Sequence, residues 1–126
     1  MILIATGSEV ALCVQAKDVL EHDHGIMARV VSMPSWDLFE AQDSSYKESV
    51  LPKRIKSRVT VEAGASFGWR RWAGDDGEII AVDRFGASAP GEEVLRHLGF
   101  TVENVVSTAL RVTSRISTYS SAASVL

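Results

Sequence analysis

Val30-Val-Ser-Met-Pro-Ser-Trp-Asp-Leu-Phe-Glu-Ala-Gln-Asp43 is an apolar strand that runs into a proline and then into a helix of alternating aromatic and acidic residues. From Ser35 to Leu51 the spacing reads as two short helices broken near Asp43-Ser44, with Trp36, Phe39 and Tyr46 as anchors and Pro52 ending the second. Outward from this stretch, strands and helices alternate. Met1 to Ala5, Ala28 to Ser32, Arg58 to Glu62 and Glu78 to Val82 are rich in Val or Ile, too short for helices, and expected to be buried on both faces. Between the first two strands, Ser8 fits as the N-cap of a helix from Glu9 to about Glu21, whose apolar face is Val10, Cys13, Val14, Ala16 and Leu20, with Gly25 at its exit. Pro90, with Glu92 and Glu93 beside it, suits a helix start, because a missing N–H costs nothing there and acids oppose the dipole favourably. Gly99 stops that helix. Thr101 then caps a final helix to roughly Arg115, with Phe100 and Val105 as its hydrophobic staple.

This alternation predicts a three-layer α/β/α fold around a mainly parallel sheet of four to five strands. Residues 1–115 form one domain in this reading, and residues 116–126 a Ser/Ala-rich tail expected to be frayed. At 126 residues and 46% hydrophobic content the chain suits a single core. The net charge of −3, from 13 basic and 16 acidic residues, argues against a nucleic-acid partner, which would need a basic patch or stripe. No apolar run is long enough to cross a bilayer, so no membrane partner is expected. The single cysteine, Cys13, cannot form an internal bridge, sits among apolar neighbours and reads as a buried structural thiol; a reducing cytoplasm is the expected compartment.

A second run, Asp83-Arg-Phe-Gly-Ala-Ser-Ala-Pro90, follows the fourth strand. With Ser32-Met-Pro-Ser-Trp36, Ser66-Phe-Gly-Trp69 and Gly99-Phe-Thr-Val-Glu-Asn104 in series, the chain resembles the C-terminal domain of transketolase from Leu3 to about Arg111. That resemblance implies a transferase of the pentose phosphate pathway, which moves a two-carbon ketol unit between sugar phosphates with thiamine diphosphate and Mg held by the two domains preceding this one. The preceding domains are then the partners, in a parent enzyme expected to be a homodimer. The chain itself shows no Gly-Asp-Gly run with a following Asn metal ligand, and the family's residues for sugar phosphates lie upstream. No catalytic, cofactor or metal residue is therefore assigned, and the isolated chain is expected to be inactive, with a structural role in assembly. The other readings are a regulatory small-ligand module and the C-terminal subunit of a split transketolase. Met1 enters the first strand without a linker, which fits a fragment better than a complete subunit.

The resemblance further implies the strand order second, first, third, fourth, with an antiparallel edge strand upstream of Leu3. Open sheets of this kind hold ligands outside the carboxyl ends of the strands where the order reverses. Here that crevice would set Thr6, Gly7 and Ser8 against Glu62 and Gly64, with free amides at the Glu9 helix to hold an anion or regulatory ligand. Glu62 argues against a phosphate, and a capped helix after a tight turn is the plainer reading. His22-Asp23-His24 lacks the further ligands of a closed metal site. His97 reads as a solvated cation at a helix end. Trp69-Arg70-Arg71-Trp72 could be a stacking platform, a surface patch or a partner contact. It departs from the family, which commonly has an acidic residue and a tyrosine near Arg70 and Trp72.

Overall fold

Four short strands of Ile and Val lie side by side, all parallel, in the computed structural model, which describes residues 1–64, 66–82 and 91–125. In chain order these are β1 (Ile2–Ala5), α1 (Glu9–His24), β2 (Arg29–Ser32), α2 (Trp36–Glu40), α3 (Ser44–Val50), β3 (Arg58–Glu62), α4 (Arg70–Ala73), β4 (Glu78–Ala81), α5 (Glu92–His97) and α6 (Val102–Val125). The sheet order is β2-β1-β3-β4, as the family resemblance implied. Ile2 pairs with Arg29 on one side of β1 and with Arg58 on the other, so β1 and β3 form the centre.

Side chains alternate across the sheet and divide the core into two. Leu3, Ala5, Val59 and Val61 point to one face and pack with Cys13, Ala16 and Leu20 of α1 and Val105, Ala109 and Val112 of α6. Ile2, Ile4 and Val31 point to the other and meet Met33, Leu51, Trp69 and Trp72 beneath α2, α3 and α4. Burial on both faces holds for β1, whose four residues are all fully buried, and for the middle of β3. It fails for β2 and β4: Arg29 and Ser32 are exposed, and Ile80 is the one buried residue of β4, because an edge strand has a neighbour on one side only.

The ends of the elements follow local chemistry. Ser35 Oγ accepts from the Leu38 amide at 3.3 Å and Asp43 Oδ1 from the Tyr46 amide at 2.8 Å, so each short helix of the pair carries its own cap. Thr101 Oγ1 accepts from the Asn104 amide at 3.1 Å, while Phe100 and Val105 are buried in the same cluster, as a hydrophobic staple requires. α1 runs to His24, three residues beyond the expected Glu21, and Gly25, the expected exit, closes it in the left-handed conformation at φ 65. Val14, assigned to the apolar face of α1, is 45% exposed, whereas Glu9 is buried. The final helix does not stop near Arg115 but runs on to Val125. Arg115 supplies a reason for continuity there: its guanidinium reaches Glu78 Oε1 at 3.0 Å and Asp76 O at 2.6 Å, tying α6 to the turn before β4. Pro90 and the run from Asp83 lie outside the described residues.

Candidate functional site

The strand order reverses between β1 and β3, and their carboxyl ends open onto the loop that leads into α1. Glu62 occupies this crevice. Thr6 Oγ1 donates to Glu62 Oε2 at 2.5 Å, and Glu62 Oε1 accepts from the Gly64 amide at 3.1 Å, so one carboxylate joins Thr6 and Gly64 across the switch point. The Gly64 carbonyl in turn accepts from Val82 N at 3.1 Å. Gly7 takes φ 57 with open space around it, which lets the chain turn sharply from β1 into α1.

Ser8 is drawn differently from the expectation. Its backbone is already helical at φ −65 and ψ −23, its side chain makes no capping bond, and its hydroxyl donates to Glu9 Oε1 at 3.1 Å. The Glu9 and Val10 amides are instead satisfied at 3.2 Å by the carbonyls of Thr6 and Gly7. A tight turn thus consumes two donors that an anion would need. Of the five crevice residues, Thr6, Glu62 and Gly64 share one hydrogen-bonded unit, Gly7 shapes the turn, and Ser8 faces its own helix. The arrangement offers a carboxylate acceptor, and its chemistry suits a hydroxyl or ammonium donor better than a diphosphate, which Glu62 would repel. The residues present therefore do not fit the diphosphate of thiamine diphosphate.

Trp69 and Trp72 are core residues, 3% and 5% exposed, and not a surface platform. Trp36 meets Trp69 edge to face at 5.1 Å between centroids, and Phe39 meets Trp72 at 5.4 Å. The two arginines between the tryptophans turn outward. Arg70 Nη1 donates to Gly74 O and Gly77 O, and Arg71 lies 5.0 Å over the Trp72 ring with Glu40 at 3.5 Å. Tyr46, the third expected anchor, is half exposed beside Phe39.

The sequence reading missed Arg58, which opens β3 on this aromatic side. Its Nε donates to Ile55 O at 2.9 Å, Nη1 to Trp72 O at 2.9 Å, and Nη2 to Pro52 O at 2.9 Å and Leu51 O at 3.4 Å. One guanidinium thus clasps the end of α3 and the end of α4 to the sheet. An arginine as the first residue of a Val-rich strand was the available signal.

Cys13 is fully buried, and burial, with the Glu9 carboxylate second, pushes its thiol up to about 12, so it is no nucleophile at neutral pH. His22 Nδ1 lies 3.0 Å from Asp18 O, within its own helix, and His97 is exposed in the last turn of α5. Among the described residues no three His, Cys, Asp or Glu side chains converge as metal ligands, and no helix is long and apolar enough to cross a membrane.

Known proteins with this arrangement agree with one another. Residues 1–101 match the family described as the transketolase-like TK C-terminal domain. Transketolase from Halalkalibacterium halodurans is 54% identical over 109 residues, 86% of this chain and 16% of its own length. Transketolase from Geobacillus stearothermophilus is 55% identical over 105 residues, 83% of this chain and again 16% of its own. The solved transketolase of Leishmania mexicana superposes with a TM-score of 0.78 at 39% identity, over 90% of this chain and 16% of that one. The chain therefore spans about a sixth of the curated relatives that it matches. With the parallel β2-β1-β3-β4 sheet and its two helical layers, these matches establish that the chain belongs to the transketolase C-terminal domain family.

Proposed function

We propose that this chain serves as a non-catalytic assembly domain of a transketolase, packing against the domains that precede it and supporting the dimeric enzyme in which two-carbon ketol transfer takes place. The observation that carries this reading is the 54% identity over 109 residues, which cover 86% of this chain but only 16% of a transketolase. Thiamine diphosphate and Mg are assigned to the preceding domains, and the sugar-phosphate residues with them. A cytoplasmic setting goes with that assignment.

A chimera tests this reading. Replacing the matching segment of the Halalkalibacterium halodurans enzyme with this chain is expected to retain transketolase activity, while the chain alone shows none and takes up no thiamine diphosphate with Mg in calorimetric titration. Micromolar cofactor binding by the chain alone would overturn the assignment, as would a chimera that folds but no longer dimerises.

A regulatory reading attaches to the crevice of Thr6, Gly7, Ser8, Glu62 and Gly64, favoured by the Thr6–Glu62 hydrogen bond that leaves a carboxylate at the switch point. Its ligand would be a hydroxylated or amino-bearing small molecule. Amide shifts at Gly7 and Gly64 on adding such a compound, lost in Glu62→Gln, would support it.

A further inference from the structure

We draw no further inference here: the strongest candidate, the apolar surface groove between the end of β2 and the pair α2 and α3, where Leu38 and Tyr46 stand exposed beside Met33 and Pro34, carries nothing because nothing in the structure shows what covers it.

Discussion

The two faces of the sheet solve the same burial problem with different means. One face is covered by α1 and α6, of 16 and 24 residues, and its core is aliphatic: Leu3, Val59, Val61, Leu20, Val105 and Val112 are all fully buried. The other is covered by α2, α3 and α4, of 5, 7 and 4 residues, and its core is a set of aromatic rings beneath Ile2 and Ile4. A long helix can lay a continuous apolar stripe on a sheet and derive its stability from that packing, whereas helices shorter than about 12 residues are marginal by themselves. The short ones here are held by a few large contacts: side-chain caps at Ser35 and Asp43, edge-to-face rings, and the Arg58 guanidinium across the carbonyl ends of α3 and α4. Holding loose pieces this way brings polar atoms into the interior. Among the described residues, two of the three buried polar side-chain atoms without a partner, Thr60 Oγ1 and Trp72 Nε1, lie on the aromatic side or at its strand, and Thr113 Oγ1 on α6 is the third. The aromatic face thus carries the larger share of the unfilled hydrogen-bonding capacity among the described residues.

If the rings hold the short helices, removing one should cost at least as much as a deletion on the aliphatic face. Trp69→Ala is expected to destabilise by about 3–5 kcal/mol, against about 2–5 kcal/mol for Leu20→Ala, measured by urea unfolding. A Trp69→Ala loss below about 1 kcal/mol would break the comparison, since a fully packed ring cannot be removed so cheaply. The closest approach on that face sharpens it. Gly68 holds φ 83, and an added Cβ would lie 2.5 Å from Trp36 Cζ3 and 2.8 Å from Cη2. Gly68→Ala should therefore cost about 1–3 kcal/mol through strain at positive φ and displacement of the Trp36 ring, seen as lower stability together with a red-shifted tryptophan emission.

The aliphatic face offers a probe of its dryness. Cys13 keeps its proton up to about 12 when folded but ionises near 8.5 when unfolded, so the unfolded state sheds protons first as pH rises. Stability is then unaffected by this group below about pH 8.5 and declines above it, by about 1–2 kcal/mol at pH 10, a loss that Cys13→Ala should abolish. Equal alkaline sensitivity in the variant would mean that water reaches the thiol. The smallest effect is expected at Thr60, fully buried on β3 with its hydroxyl unpaired. Thr60→Val keeps the shape and removes that hydroxyl, and should raise stability by about 1 kcal/mol in the same unfolding assay. A loss would show that the hydroxyl has an acceptor after all.

Part of the local structure was legible in the chain. Thr101 was legible as a cap because its bond closes within three residues, and the strands at Ile2–Ala5 and Arg58–Glu62 announce themselves by composition and length; Ser35 and Asp43 close equally local capping bonds that the sequence reading did not name. The same logic failed at Ser8. There the carbonyls of Thr6 and Gly7 meet the helix amides first, and the hydroxyl turns to Glu9, an outcome decided by how tightly β1 turns into α1. The strand order came with the family motifs, since nothing in the spacing of four apolar runs says which pairs with which.

Only the tertiary structure decided which side of the Trp69–Trp72 run faces inward. Its four residues make barely one turn, so no periodicity existed to read, and burial follows from Trp36 and Phe39 arriving from α2. Arg58 and Glu62 belong to the same class. Each is a charge at one end of an apolar strand, and its partners, the carbonyl ends of α3 and α4 for one and Thr6 for the other, are brought within reach only when the parallel sheet forms. A sequence by itself determines interactions that close within a turn or follow a repeating stripe. Contacts made across the sheet depend on the relative placement of whole elements, which is set by the packing of both faces at once.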